Sequence, residues 1–381
     1  MPRFKLKNLT MKGFKSFDGD GQSVAFGDTT VFLGANGSGK SNFISFFKLL
    51  NYLTTGGLQT FIGEQGFADS LLHYGSSTTS RIQAELSFEQ VEGHEDTYSF
   101  TLAHASGDTL IFTEERLTWA RAGRNRPQAI DLGSGHKEAN LLTDASQVGP
   151  TRRTSRFVLN LLRSCRVYQF HDTSMTAKIR NQGYLNDNEY LRDNAGNLAA
   201  FLFVMANKQE WRKYYERIVA HIQSIMPQFV DFILNPSPLN EKYIELDWQE
   251  RRRDYRFGPH QISDGTLRFM ALATLLLQPP PTLPDVIVLD EPELGLHPEA
   301  ISSLAGMIRT ASLNAQLILA TQSPRLVDEF SANEIVIVER DERGERNRSL
   351  LKRLDEQQLS EWLKKYTLSE LWEKNVIGGK P

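Results

Sequence analysis

The run Gly34-Ala35-Asn36-Gly37-Ser38-Gly39-Lys40-Ser41 constrains this chain more than any other feature. It fits G-x-x-x-x-G-K-S at every fixed position, and its flanks are those such a loop needs. The apolar segment Thr30 to Leu33 runs into it as a short strand. Asn42 to Leu53 follows as a helix with a strong apolar face. Glycines let the loop turn its N–H groups inward around a phosphate, and the helix N-terminus adds positive potential. Lys40 is placed to reach the β- and γ-phosphates of a nucleotide, and Ser41 to ligate magnesium. A strand, loop and helix joined this way require an α/β core.

Two further motifs extend the loop into a site. Val286-Ile287-Val288-Leu289 is a buried strand that ends in Asp290-Glu291. Open α/β sheets place their ligands at such carboxyl ends. Asp290 is expected to hold magnesium, directly or through water, and Glu291 to polarise an attacking water. Ile262-Ser263-Asp264-Gly265-Thr266-Leu267-Arg268 opens a helix upstream of the acids. Ser263 or Asp264 serves as N-cap there. The same turn suits a second role, in which Ser263, Asp264, Gly265 and nearby N–H groups bind the γ-phosphate of a nucleotide held by another subunit.

The rest of the chain reads as follows. Phe4, Leu6 and Leu9 alternate with polar residues as an edge-side strand, and residues 81–89 and 97–103 as antiparallel strands. The polar stretch from about 120 to 156 is expected to be a mobile loop. Val167 to Phe170 reads as a strand, 188–225 as two helices broken near Asn207, and Tyr243 to Trp248 as a strand. Asp264 to Leu277 is helical and is stopped by the prolines at 279, 280 and 281. Glu299 to Ala311 is a helix, Gln316 to Ala320 a buried strand, and Glu334 to Glu339 the closing strand. Strands and helices alternate at both ends and helices dominate the middle. That pattern predicts one split core, about 1–115 and 285–381, with an inserted helical lobe of about 116–284. No sustained heptads occur.

Composition excludes several classes. With 40% hydrophobic and 23% charged residues the chain is globular, and its net charge of −3 makes no global case for nucleic acid. Cys165 is the only cysteine, so a disulfide within one chain is excluded. The longest apolar stretches, such as Leu198 to Ala206, are about half the length of a membrane span. A soluble, cytoplasmic protein is expected. Arg116, Arg121, Arg124 and Arg126, then Arg152, Arg153 and Arg156, then Arg251, Arg252, Arg253 and Arg256 form basic segments. A solvated face is their ordinary reading, and DNA-backbone contact the alternative.

The order of phosphate loop, signature turn, helix and acid-ended strand resembles the ABC-type ATPase heads. Within these, the chain is similar to the group of SMC proteins, RecF and the overcoming-lysogenization-defect nucleases. Gly13-Phe14-Lys15-Ser16-Phe17 and Gly39-Lys40-Ser41-Asn42 look like SMC heads, whereas Asp290 through Pro298 is closer to the nuclease ATPases. The nearest likeness is to standalone bacterial heads. It covers nearly the whole chain, including Tyr168 to Ser174 and Leu371-Trp372 through Gly378-Gly379-Lys380-Pro381. It implies a mixed core sheet, an antiparallel β subdomain and an inserted helical lobe. It implies ATP and magnesium, and places Asn42 with the nucleotide-binding loop. Gln169 or His171 falls where a Q-loop senses magnesium, Glu293 to His297 where a D-loop faces a partner, and Gln322 where a switch histidine stands. Two departures are plain: Asp264 replaces a glycine, and Gln322 cannot become cationic. The resemblance implies a dimer, or higher oligomer, joined through ATP sites. Its role would be DNA repair or defence against foreign DNA. No second acid cluster suggests a nuclease in this chain, so a separate nuclease or toxin effector is expected. The alternative is a nucleotide-dependent scaffold with little turnover.

Overall fold

The computed structural model describes residues 5–89, 95–120, 128–149, 152–251, 255–341 and 347–379. Its backbone divides into two compact units. The first comprises 1–167, 285–288 and 318–381, and the second 168–284 and 289–317.

The first unit opens with β1 (Lys5–Lys12), β2 (Gln22–Ala25) and β3 (Thr29–Leu33), then β4 (Arg81–Glu89), β5 (Glu95–Ala105), β6 (Thr109–Ala120), β7 (Gln128–Asp131) and β8 (Cys165–Tyr168). A six-stranded sheet has the order β2-β1-β4-β5-β6-β7, and every pairing in it is antiparallel. Its strands alternate buried and open positions because one face is covered. The inserted lobe is expected from about residue 116, whereas the first unit runs on to residue 167. Arg116 lies inside β6, whose pairing with β7 keeps the following segment in the same unit.

The stretch from 120 to 156 is not simply a loop. Its described part holds β7 and the helix Asn140–Ser146, and the helix Arg152–Arg163 begins within it. The reason is Glu115, fully buried on β6. Its carboxylate accepts the N–H groups of Asn140 and Leu141, at 2.8 and 3.1 Å, and the Tyr98 hydroxyl at 2.8 Å. An N-terminal anchor contributed from another strand escapes local pattern reading.

The second unit carries β9 (Gly183–Tyr184), β10 (Phe229–Ile233), β11 (Pro236–Ser237), β12 (Asn240–Ile244), β13 (Asp247–Glu250) and β14 (Arg256–Phe257) in two small sheets. The single strand expected over Tyr243 to Trp248 is two, β12 and β13, which belong to different sheets. Phe229, Trp248 and Phe257 stack in sequence and hold β10, β13 and β14 together. Among the described residues of this unit the α-helices are Leu198–Asn207, Arg212–Ile225, Asp264–Leu277 and Pro298–Ser312.

The remaining strands are β15 (Val286–Asp290), β16 (Gln316–Thr321), β17 (Ile335–Asp341) and β18 (Arg348–Arg353). They join β3 and β8 in a sheet of order β18-β17-β3-β16-β15-β8. β3, β15 and β16 are buried at every position, as continuous apolar runs between two covered faces should be. β17 pairs with β3 in parallel and with β18 antiparallel, so the sheet is mixed. The helix Lys40–Leu53 is fixed on β3 by aromatic packing. Phe43 lies 4.1 Å from Phe32 between ring centroids, and Phe14 meets Phe46 edge-on at 5.6 Å. That packing sets where the glycine loop emerges.

Candidate nucleotide site

In the first unit the glycine loop is held from behind. A Cβ on Gly34 would lie 2.3 Å from the Val338 carbonyl oxygen of β17. Gly39 has φ +117°, and a Cβ there would lie 2.2 Å from Ser349 Oγ and 2.9 Å from Ser16 Oγ. Both positions therefore exclude a side chain. Ser349 donates its hydroxyl to the Ser38 carbonyl at 2.6 Å, and the Ser349 N–H donates to the Ser16 carbonyl at 2.8 Å. Ala35 donates its N–H to the Gly379 carbonyl at 3.0 Å, and the Gly379 N–H reaches Glu339 Oε2 at 3.3 Å. In front of the loop the picture reverses. Gly37, with φ +79°, faces open space, and Asn36, Gly37 and Ser41 are exposed. Lys40 is buried and donates its ammonium to the Gly34 and Ala35 carbonyls at 2.6 and 2.9 Å. Asn42 is half-buried in the first helical turn, where N–H groups lack intrahelical acceptors. Gln322, also half-buried, lies in the turn between β16 and the short helix Pro324–Val327.

In the second unit the acid pair meets the segment after β8. Gln169 Nε2 donates to Asp290 Oδ2 at 2.7 Å, and His171 Nε2 donates to the Asp290 carbonyl at 2.9 Å. Asp290 is buried. Glu291 has φ +41°, a left-handed backbone that strains a non-glycine residue. A small pocket at this point is lined by Tyr168, Phe170, Arg268, Leu272, Asp290 and Glu291.

The signature turn belongs to the same unit. Ser263 is the N-cap of Asp264–Leu277 and accepts the Thr266 N–H at 3.2 Å while remaining exposed. A Cβ on Gly265 would lie 2.3 Å from the Gly295 carbonyl oxygen, so the helix start rests on the turn after the acids. Arg268 binds three carbonyls: Phe170 at 3.0 Å, His171 at 2.8 Å and Leu294 at 3.0 Å. Asp264 bonds to Arg180, and that bond holds its carboxyl below the usual carboxylate range. His297 has an ordinary structural task, accepting the Glu299 N–H as N-cap of Pro298–Ser312.

Residues 29–328 match the family described as "AAA domain, putative AbiEii toxin, Type IV TA system". The chain belongs to this AAA-domain family. A 108-residue stretch is 31% identical to a "Putative ABC transporter ATP-binding protein" of Methanosarcina acetivorans, covering 28% of this chain and 38% of that relative. The AAA-domain chain thus spans about two fifths of that protein's length. Its fold is similar to an SMC head solved with the C-winged helix domain of ScpA, with a TM-score of 0.57 and 16% identity over 93% of this chain and 99% of that one. It is also similar to the Pyrococcus furiosus Smc head with an extended coiled coil, solved bound to the C-terminal domain of ScpA. There the TM-score is 0.52 and identity 15%, over 96% of this chain and 99% of that one. The AAA-domain chain has the fold of an ABC-type P-loop ATPase head resembling the SMC group.

The donor chemistry of this AAA-domain head fits ATP with magnesium. Backbone amides and a buried ammonium suit phosphates. Ser41, Asp290 and Gln169 are oxygen donors suited to a hard cation. Among the described residues no group of three or more His, Cys, Asp or Glu is placed to hold a metal ion. Magnesium needs only one or two carboxylates when phosphates supply the rest. Sequence reading missed the loop's backing residues Ser16, Val338, Ser349 and Gly379, and the roles of Arg180 and Arg268. The Gly13–Phe17 and Gly378-Gly379 segments stood out only as family likenesses.

Among the basic segments, Arg152 pairs with Asp144 and Arg256 with Asp247, while Arg116, Arg153, Arg156 and Arg251 are exposed. Arg121, Arg124, Arg126, Arg252 and Arg253 lie outside the described residues. Among the described residues no helix is long and apolar enough to cross a membrane.

Proposed function

We propose that two copies of this chain close head to head on ATP and magnesium, hydrolyse the nucleotide, and use the cycle as a conformational switch. The observation carrying this reading is the make-up of the second unit. One body holds Gln169, Asp290 and Glu291 together with a signature turn whose Ser263 stays open to solvent. In this reading the amides from Gly34 to Asn42 cradle the phosphates, and Lys40 neutralises the β- and γ-oxygens. Ser41, Asp290 and Gln169 would hold magnesium, which would supply positive charge beside the phosphates. Glu291 orients a water and draws off its proton as the new oxygen–phosphorus bond forms and the bond to ADP breaks. Ser263 and the backbone N–H groups of Asp264 and Gly265 contact the γ-phosphate bound by the other copy, and Gln322 donates to it in place of a histidine.

The working context proposed is DNA repair or defence against foreign DNA, with a separate nuclease or toxin effector. The exposed arginines support a DNA contact, and the partner seen on similar SMC heads supports a protein one. A second reading, a scaffold with little turnover, draws on Gln322, which cannot become cationic. Multiple-turnover ATP hydrolysis measured against protein concentration, with and without DNA, tests both. The rate per chain should rise until dimers saturate. A concentration-independent rate from a demonstrated monomer rejects the shared site, and ATP binding without turnover favours the scaffold.

A further inference from the structure

We propose that Arg180 is a positioning residue that holds the Asp264 carboxylate aside and so leaves the signature turn able to receive a partner head's γ-phosphate. The inference rests on the shared-site reading above and deepens it.

Asp264 occupies a position where a glycine is expected, and it adds a negative charge where a phosphate should arrive. The structure shows what accompanies that charge. Arg180 is only 3% exposed, and all of its donor nitrogens are engaged within the second unit. Nε donates to the Thr173 carbonyl at 2.7 Å. Nη1 donates to the Pro259 carbonyl and to the Ile262 carbonyl, the latter at 3.1 Å. Nη2 donates to Asp264 Oδ1 at 2.6 Å. Three of these acceptors belong to the signature turn and its approach. The pair is lopsided: the cation is buried, and the Asp264 side chain is 63% exposed. The guanidinium therefore pulls the carboxylate against the turn from beneath, and its fixed fork sets the direction. Ser263, the neighbouring N-cap, is left to face outward with the first N–H groups of the helix. Asp264 and Arg180 together restore the neutrality a glycine would give.

If so, the two residues are coupled in a particular sense. Losing Arg180 alone should free a carboxylate to repel the incoming phosphate. Losing both should remove the repulsion again. A purely structural arginine predicts the opposite, since the second change could not repair the turn.

The test uses the full chain carrying Glu291→Gln, with ATP and magnesium, and reads self-association by sedimentation. Arg180→Ala should weaken association by at least about tenfold, because like charges brought together at an interface are strongly unfavourable. Asp264→Gly alone, which keeps the backbone N–H and drops the carboxylate, sets the reference against which the double variant is read. The double variant should recover most of the loss. Salt at about 0.5 M should also relieve the defect of Arg180→Ala by screening, which a collapsed turn would not allow. If Arg180→Ala does not fold, Arg180→Gln with Asp264→Asn replaces the pair, because glutamine keeps donors for the carbonyls but carries no charge. If the Glu291→Gln chain itself does not associate with ATP, the shared-site reading falls and this inference with it. If it associates and Arg180→Ala does so equally, or the double variant stays as weak as the single, the inference alone is overturned.

Discussion

Glu291 is the residue at which backbone strain and proposed chemistry coincide. Its left-handed φ comes immediately after the buried strand β15 and costs about 1–3 kcal/mol. Glutamine has the same shape and the same strain, so Glu291→Gln should fold and bind ATP normally while turnover falls by about 10²- to 10⁴-fold. Single-turnover kinetics at saturating ATP check this, and a parental rate would remove Glu291 from the proposed chemistry. Lys40→Ala tests a different quantity. The ammonium already rests on two loop carbonyls and is the charged donor the loop offers to phosphate. Losing a charge-assisted contact should weaken nucleotide binding by about 10- to 100-fold. Fluorescent-nucleotide titration decides it, and unchanged affinity in a folded variant would contradict the assignment.

At the scale of elements, the phosphate loop is shaped by what stands behind it. Gly39→Ala would set a methyl group against Ser349 and Ser16 and oblige a left-handed alanine. About 1–3 kcal/mol of strain is expected. It should appear as lost ATP affinity, with a smaller change in melting temperature. A variant that binds ATP like the parent would mean that β18 yields to the methyl. The helix Asp264–Leu277 and the strands β3, β15 and β16 were legible, because buried runs and proline stops are local signals. β6 and β18 escaped, since strand pairing and not their own composition defines them. The candidate site was legible where a motif spells it, at Lys40, Ser41, Asp290 and Glu291. Arg180 was not. Its partners are carbonyls at Thr173, Pro259 and Ile262, and a carbonyl leaves no trace in residue identity.

For the whole molecule, the proposed symmetry makes a demand that neither unit makes alone. If each nucleotide is shared by two heads, mixing two inactive variants should restore activity. Lys40→Ala spoils the phosphate loop, and Ser263→Arg blocks the signature by bulk. A mixed dimer then carries one site with both defects and one with neither. Partial recovery of ATP hydrolysis on mixing is expected. No recovery despite demonstrated subunit exchange would mean that heads act singly or that both sites must fire together.

The backing of the phosphate loop has a consequence for the chain's birth. Ala35 is held by Gly379, Gly34 lies against Val338, and Ser38 accepts from Ser349. The motif is synthesised early, and three of its four supports, Val338, Ser349 and Gly379, come late. During translation Lys40 emerges from the ribosome long before the residues that give its loop a shape. A nascent chain stalled before Val338 would carry the complete motif yet lack its mould, so nucleotide capture becomes a late event in biogenesis.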